Sequence, residues 1–297
     1  MFVIRFGVPE SRVHLAPCGE IVAEVAAPVL SGANEERFPI PAGVATREGD
    51  WVWCDNGDML CGAAAADMDA GNVESVAGRL YDALFEKTRG LHLYRVWNHV
   101  PAINGEAPGR EENYKRFCLG RACAFERAFP GDCERRMPAA SAVGVGGSRL
   151  VVVVIAGREK PEHFENPEQT PAYRYPQKYG PKPPSFARAT RVVTRSGEWV
   201  FVSGTAAIKG SDSLHPGDFD AQAAVTADNL AIMRRVTGVM APTDVLLRTY
   251  LKPGCGRTAV DTRALAGGAC ESVLVTADIC RSELLLESEL TLHTVHS

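Results

Sequence analysis

The sequence predicts an α+β fold in which helices cover one face of a mixed sheet. Two observations support this class. The second half of the chain orders its strand-like and helix-like segments as ββαβ(α)ββ, which suits a mixed sheet with helices on one side. Apolar residues make up 45% and charged residues 23% of the 297, values that are ordinary for a folded globular protein and argue against disorder or a coiled coil.

In the first half of the chain, apolar residues recur at helical spacing over residues 72–88, which predicts a helix packed against a sheet. Residues 91–98 alternate and are rich in β-forming side chains, so they predict a strand that leads into a turn over 101–109. A second amphipathic helix is expected over 111–129. The β-branched run 151–155, bounded by Gly147 and Gly157, predicts a buried strand.

A proline-rich segment separates the two halves. Residues 161–184 contain seven of the 19 prolines and three tyrosines, so the segment cannot form a regular helix or a central strand. We interpret it as an ordered functional loop. The alternative is a flexible linker, which is more often rich in glycine and serine.

The second half resumes with regular elements. A hairpin is predicted from strands 192–194 and 199–204, turning at Ser196 and Gly197, and it is followed by helix 218–235 and strands 245–251, 273–279 and 284–292. We therefore predict an α+β module over residues 1–160 and a second domain over 161–297, which carries most of the active site.

Charge and hydropathy exclude several classes of protein. The net charge is −4 and the basic residues are scattered, so we expect no nucleic-acid partner. The longest strongly apolar run, 150–156, is far shorter than the roughly 20 residues that span a bilayer. Since no secretory signal is visible either, we expect no membrane partner and a cytoplasmic location.

No motif in the sequence indicates a cofactor or a metal ion. The nine cysteines are widely spaced without a C-x-x-C pair, so free thiols in a reducing compartment are expected. The glycine-rich run 144–147 precedes a strand and does not open a helix, so it is no dinucleotide fingerprint. The H-E-x-x-H and G-x-S-x-G motifs are absent. We predict an enzyme that uses neither.

Two sets of segments carry a resemblance to known families. The first comprises FVSGTA at 201–206, PGD at 216–218, and Gln222 and Asn229 on the following helix. This set resembles the YjgF-like fold of the reactive intermediate deaminases. The second set comprises YRVWNHVPAIN at 94–104, YKRFCLGRA at 114–122, PAASAVG at 138–144, ENP at 165–167, YRYP at 173–176 and SFARAT at 185–190. It resembles the chorismatases, YjgF-like enzymes that remove the enolpyruvyl group of chorismate. The first ninety residues match only loosely.

The resemblance implies chorismate as substrate, a dianion that guanidinium groups can bind through both carboxylates. Arg188 and Tyr175 are the expected binding residues; the alternatives are a surface arginine and a core tyrosine. Arg121 and Tyr114 are further candidates, because a spacing of seven places them on one helix face. Helix arginines more often face solvent.

Cleavage of an enol ether requires protonation of its methylene carbon, which a carboxylic acid with a raised pKa can perform. The resemblance assigns this role to Glu287, seven residues after Cys280. Strand alternation places Glu287 and Glu289 on one face and Leu286 on the other. The alternative is that both acids line the solvent face of an edge strand.

Product type in the family is implied by two pocket positions, which here are Gly204 and Cys280. This pair resembles the type in which attack comes from within the substrate and 3-hydroxybenzoate forms. Bulkier or apolar residues would favour hydrolysis to a dihydroxycyclohexadiene carboxylate, and a mixture with 4-hydroxybenzoate is a third type. Gly204 has an alternative role, a positive φ or a close strand approach, and Cys280 could be a small buried apolar residue.

Three alternatives stay open at this stage. The YjgF-like half alone would permit hydrolysis of an enamine or imine, with release of ammonia. A metabolite sensor would keep the pocket but turn over no chorismate. For the oligomeric state, both a monomer and a homotrimer with sites between subunits are compatible with the sequence.

Overall fold

The computed structural model describes residues 2–106, 111–239 and 241–295. Its first part is built from strands that the sequence patterns did not predict. They are β1 (Phe2–Phe6), β2 (Arg12–Leu15), β3 (Ile21–Val25), β4 (Val29–Gly32), β5 (Glu35–Phe38), β6 (Val44–Glu48), β7 (Trp51–Asp55) and β8 (Met59–Asp67). Most are only four or five residues long, which leaves little room for an alternating pattern to show.

The middle of the chain contains the predicted helix, strand, helix and strand, together with a helical turn and a strand over residues 133–145 that the sequence patterns did not predict. Its elements are α1 (Val73–Lys87), β9 (His92–Pro101), α2 (Asn113–Ala128), the single turn α3 (Cys133–Arg136), β10 (Ala139–Val145) and β11 (Arg149–Gly157). Of the turn predicted over 101–109, residues 107–109 lie outside the described part of the chain.

The last part contains the predicted hairpin, long helix and three strands. Its elements are β12 (Glu162–Phe164), β13 (Ala189–Thr194), β14 (Gly197–Thr205), β15 (Ile208–Lys209), β16 (Asp212–Ser213), α4 (Phe219–Thr237), β17 (Asp244–Leu251), α5 (Thr262–Ala266), β18 (Glu271–Thr276) and β19 (Leu286–Thr294). The observed bounds differ from the predicted ones: β13 begins three residues earlier, and β18 and β19 are each displaced by two or three residues at both ends. β18 ends before residues 277–279 and β19 begins after 284–285, because these residues belong to the connection that lines the site.

Most of the strands belong to three principal sheets. One has four strands in the order β2-β3-β1-β5, one has six in the order β10-β9-β11-β8-β7-β6, and one has seven in the order β12-β13-β14-β19-β17-β18-β4. β10 runs parallel to β9, and β17 runs parallel to β18, whereas most other pairs are antiparallel. The predicted mixed sheet is confirmed.

The sheets enclose a common core, and the helices lie outside it. Alternate residues of β11 illustrate the layering: Val151 and Val153 face a core shared by all three sheets, whereas Val152 and Val154 face α1 and α2. Both faces of the strand are buried, which explains its unbroken β-branched run. The opposite face of the seven-stranded sheet packs against α4 and α5. The predicted α+β class, with helices on one face of a sheet, is confirmed.

The N-terminal strands join the architecture of the second half. β4 pairs with β18 and so closes one edge of the seven-stranded sheet. Apolar residues of β1 and β3 contribute to the shared core. The division of the chain at residue 160 stays a prediction.

Candidate active site

A cavity of about 240 Å³ lies between the six-stranded and seven-stranded sheets. This is slightly below the range of roughly 300 to 1,000 Å³ found for drug-sized ligands, so the cavity suits a small metabolite. Its walls come from α2, β10, the proline-rich segment, the end of β14 and the connection into β19. All seven residues expected from the sequence line it: Tyr114, Arg121, Tyr175, Arg188, Gly204, Cys280 and Glu287.

Arg188 lies at the junction of the proline-rich segment and β13. Its side chain is buried, with 3% of the residue exposed. The guanidinium donates hydrogen bonds to the Tyr175 hydroxyl at 2.7 Å and to the Thr170 carbonyl at 3.2 Å. Its Nε atom is buried without a partner among the described residues. The alternative of a surface arginine is therefore wrong, and so is that of a core tyrosine, since Tyr175 is only partly buried and lines the cavity.

Arg121 projects from α2 into the same cavity. It is 2% exposed, and its guanidinium lies over the rings of Tyr81 at 5.1 Å and Phe125 at 5.6 Å. Within the described chain, its Nε and one terminal nitrogen have no hydrogen-bond acceptor. A buried guanidinium with free donors is costly unless an anion binds it. Arg121 is thus an exception to the usual outward orientation of helix arginines.

A third arginine, Arg281, was not predicted from the sequence. Its guanidinium lies over Tyr179 at 3.9 Å and Tyr175 at 5.0 Å, and one nitrogen donates to the Ser211 carbonyl at 2.9 Å. The other terminal nitrogen is buried with no acceptor in the described residues. The only signal in the sequence is its position next to Cys280, because the stacking tyrosines come from a segment about 100 residues away.

Glu287 lies on β19, the central strand of the seven-stranded sheet, and is 5% exposed. The alternative of an edge strand facing solvent is therefore wrong. Burial, together with the negative charge of Glu289, raises the pKa of Glu287 to about 8, although Arg95 and Arg188 oppose the shift. The carboxyl is therefore protonated at neutral pH and borders the cavity.

Gly204 occupies a β-bulge next to this acid. Val202 pairs with Leu290 and Thr205 with Ser288, so two residues of β14 lie opposite the single residue Glu289. A Cβ atom added to Gly204 would lie 1.9 Å from an oxygen of Glu287. The φ angle of Gly204 is not positive. A positive φ at Gly204 is therefore wrong, and the groups that approach this glycine closely are the side chains of Glu287 and Ser141, not the backbone of a strand.

Cys280 lies in the connection between β18 and β19, packed against both the shared core and the α1–α2 core. The connection is fixed to β10 by paired backbone hydrogen bonds between Gly144 and Asp278. Burial raises the pKa of the Cys280 thiol to about 12, so the thiol is neutral. Tyr114, whose pKa is also raised by burial, lies against this thiol and that of Cys118.

Helix α4 anchors both strands that carry the acid and the glycine. The Gln222 amide donates to the Glu283 carbonyl at 3.0 Å and accepts from the Leu285 N–H at 2.8 Å, which fixes the start of β19. The Asn229 amide donates to the carbonyls of Ala206 and Ile208, just after β14. Gln222 and Asn229, which belong to the YjgF-like set of residues, therefore fix the backbone around the site and do not line the cavity.

In the part of the chain that the structure describes, no three His, Cys, Asp or Glu side chains cluster as metal ligands would. No helix there is long and apolar enough to cross a bilayer.

Comparison with known proteins identifies the family. A 3-hydroxybenzoate synthase of Streptomyces hygroscopicus is 30% identical over 95% of this chain and 85% of its own length. The chain belongs to the chorismatase family. A chorismatase of the same organism is 34% identical over 74% of this chain and 68% of its own length.

Two further comparisons agree with this assignment. Residues 40–156 match the family described as "Chorismatase FkbO/Hyg5-like, N-terminal", a range that includes Tyr114 and Arg121. A solved chorismatase crystal structure superposes with a TM-score of 0.83 at 28% identity, covering 98% of this chain and 92% of its own. The chorismatase fold therefore extends over the whole chain, including the strands of the first ninety residues.

Proposed function

We propose that this protein cleaves chorismate to 3-hydroxybenzoate and pyruvate, with Glu287 as the general acid. One observation carries the proposal: a buried carboxyl held in its acid form borders a cavity that three arginines line with unpartnered N–H groups. The names of the relatives, 3-hydroxybenzoate synthase and chorismatase, support the same substrate.

The arginines bind the substrate. Chorismate carries one carboxylate on its ring and one on its enolpyruvyl arm, and charge-assisted hydrogen bonds from guanidinium groups suit both. Arg188, with Tyr175 fixed against it, and Arg121 are the substrate-binding residues. Arg281 adds a third cation. The buried donors that lack an acceptor in the protein would each gain one from a dianion, which favours binding of an anionic ligand over a neutral one.

Glu287 supplies the proton. Transfer of that proton to the methylene carbon of the enol ether leaves Glu287 as a carboxylate and creates an oxocarbenium ion in the substrate. Arg95 and Arg188 stabilise the new negative charge of Glu287. A neutral acid near pH 7 is available because burial and Glu289 both disfavour its ionised form.

The pair Gly204 and Cys280 supports the 3-hydroxybenzoate type. Attack from within the substrate needs no water, since 3-hydroxybenzoate and pyruvate together account for every atom of chorismate. Gly204 leaves the Glu287 carboxyl close against β14, and Cys280 adds a small neutral thiol to the wall. Hydrolysis to the dihydroxycyclohexadiene carboxylate is the second candidate.

We propose further that the enzyme uses no cofactor, binds neither nucleic acid nor membrane, and acts in the cytoplasm as a monomer or a homotrimer. All nine cysteines are free thiols, which is typical of a reducing compartment.

The test is incubation of purified protein with chorismate, with pyruvate measured by a coupled dehydrogenase and the aromatic product identified by chromatography and mass. We expect equal amounts of pyruvate and 3-hydroxybenzoate. Pyruvate with a non-aromatic diol would contradict the product type. Binding of chorismate without release of pyruvate would indicate a metabolite sensor and not an enzyme. Release of ammonia from imine substrates, without turnover of chorismate, would indicate a deaminase.

A further inference from the structure

Behind Glu287 the shared core contains a cluster of charged side chains that do not line the cavity. We call it the ion cluster, and it consists of Glu36, Arg95, Arg248 and Glu289. Each of the four is at most 4% exposed. They come from four different strands, β5, β9, β17 and β19, and lie among apolar residues of all three sheets. Two acids and two arginines make the cluster neutral when all are ionised.

Glu289 is the centre of this cluster. Its carboxylate accepts from Arg95 at 2.6 Å and from the Trp97 indole at 2.8 Å, and it pairs with Arg248 at 2.8 Å. The Ser141 hydroxyl also donates to it. Burial alone would raise the pKa of Glu289, but Arg95 and Arg248, with the Ser141 and Trp97 hydrogen bonds, hold it below its ordinary value. Glu289 is therefore a fixed anion in the core.

Glu36 completes the cluster from the N-terminal part of the chain. Its carboxylate accepts two hydrogen bonds from the Arg248 guanidinium, one of them from Nε at 2.8 Å. The third nitrogen of Arg248 faces the Tyr250 hydroxyl at 3.0 Å and Glu289. Arg248 thus pairs with both Glu36 and Glu289. Through Glu36, strand β5 contributes to the ion cluster behind the active site.

Glu289 and Glu287 lie two residues apart on one face of β19, so their backbones are about 7 Å apart. The other charged groups that face Glu287 are Arg95 from β9 and Arg188 from the segment before β13. Cys280, a neutral thiol, approaches it from the connection into β19. Arg121, Arg281 and Glu283 also line the cavity but are not among the groups that shift the pKa of Glu287. Glu289 is thus the one anion held against Glu287 within the described residues.

We propose that Glu289 is a positioning residue whose fixed negative charge, set by Arg95 and Arg248, keeps Glu287 in its acid form between turnovers. This inference rests on the proposed function, because it requires Glu287 to act as the general acid. Two carboxyls on one strand receive different environments. Glu289 has the four polar partners named above and a fifth in the Tyr250 hydroxyl at 3.4 Å, whereas Glu287, within the described chain, has no hydrogen bond to its carboxyl. Such a difference in environment keeps one carboxyl of the pair ionised throughout, while the other is protonated in the resting enzyme.

Ser141 connects the two environments. Its hydroxyl accepts from Arg95 at 2.5 Å and donates to Glu289, while its β carbon lies against Gly204 at the cavity wall. Since the Ser141 hydroxyl donates its hydrogen bond to Glu289, it has no second hydrogen to donate to Glu287. Glu289 therefore does not line the cavity, and it acts on Glu287 only through the electrostatic effect of its negative charge.

The test is the pH dependence of kcat/KM for pyruvate release, whose upper limb reports ionisation of the acid in the free enzyme. Glu289→Gln retains the shape and loses the charge, so Glu287 should ionise more easily. We expect the upper limb to move to lower pH by about one unit or more. Arg95→Gln removes the opposing cation, so the limb should move to higher pH. The control is Glu198→Gln, which breaks a surface ion pair with Arg191 and should leave the limb in place.

The opposite signs separate the inference from general damage to the fold, which would lower activity at every pH. An upper limb that stays in place in Glu289→Gln, or moves the same way in both variants, overturns the inference. If Glu289→Gln does not accumulate as folded protein, the double variant Arg95→Gln/Glu289→Gln, which removes one charge of each sign, is compared with Arg95→Gln. A limb that is no lower in the double variant than in Arg95→Gln overturns the inference. Absence of pyruvate release in the wild type is a different result, which contradicts the proposed function itself.

Discussion

The cavity and the ion cluster contain the same kinds of charged residue but use them in opposite ways. In the ion cluster each arginine pairs with a buried carboxylate. In the cavity Arg121, Arg188 and Arg281 form no ion pair with any described carboxylate, and each keeps a buried N–H without an acceptor. Arg95 also has one buried nitrogen without an acceptor, but both arginines of the ion cluster have carboxylate partners within the protein, whereas the cavity arginines gain such a partner only from an anionic ligand. The presence or absence of a carboxylate partner, and not the type of residue, therefore distinguishes the structural arginines from those expected to bind a ligand.

The sharpest test of this comparison is Glu287→Gln, which removes the proton donor and keeps its shape. We expect kcat to fall by roughly 100- to 10,000-fold, because general acid catalysis typically contributes that much. Chorismate binding, measured by calorimetry, should remain, since the arginines are unchanged. A variant that keeps wild-type turnover would assign the proton to another group.

Arg248→Met tests whether the ion cluster stabilises the folded protein. The change leaves Glu36 buried without its partner, and breaking a buried pair costs about 3 to 5 kcal/mol of unfolding free energy. Urea denaturation measures the loss, and adding Glu36→Gln to the same chain should recover part of it. The control is Arg127→Met, whose exposed pair with Asp82 is worth about 0 to 1 kcal/mol. Equal losses in both variants would contradict the comparison.

Arg188→Lys tests the cavity as a binding site. Lysine keeps the charge but loses the planar fork that matches a carboxylate, so kcat/KM for chorismate should fall by about 10- to 100-fold. The stability of the protein should change far less than in Arg248→Met, because Arg188 has no carboxylate partner among the described residues. Arg191→Lys at the surface is the matched control, and an equal effect there would argue against a binding role.

Gly204→Ala tests the close contact between β14 and the acid. Since the added Cβ would lie 1.9 Å from a Glu287 oxygen, the acid or the bulge must move. We expect a several-fold loss of turnover and a smaller share of 3-hydroxybenzoate in the product, measured by chromatography. Gly78→Ala on α1, where the nearest atom to the added Cβ is 3.7 Å away, should leave both unchanged. An unchanged product ratio in Gly204→Ala would remove this position from product control.

The last prediction concerns stability as a function of pH. The pKa of Glu287 is about 8 in the folded protein and about 4.5 in the unfolded chain. Between these values only the folded state holds the proton, so this residue makes stability fall as pH rises from about 4.5 and level off above about 8. Urea denaturation at several pH values should show a shallower decline in Glu287→Gln. An identical slope would mean that Glu287 is ionised in the folded protein.

The long elements were predictable because their periodicity is local. The helices at 72–88, 111–129 and 218–235 appear within one or two residues of the predicted ends, because one apolar face of each packs on a sheet. The short strands of the first ninety residues were not predictable. Each has only a few residues and obtains its hydrogen bonds from distant partners, such as β4 from β18.

The sequence by itself determined the α+β class, the family resemblance and the seven expected cavity residues, because these depend on residue type and order along the chain. It also placed Glu287 and Glu289 on one strand face. Only the tertiary structure decided that β19 is central, that Arg281 joins the cavity, and that Glu289 is caged while Glu287 is not. A pKa depends on burial and on charges from strands far apart in sequence, so two glutamates that look equivalent in the chain acquire different protonation states only when the sheets assemble.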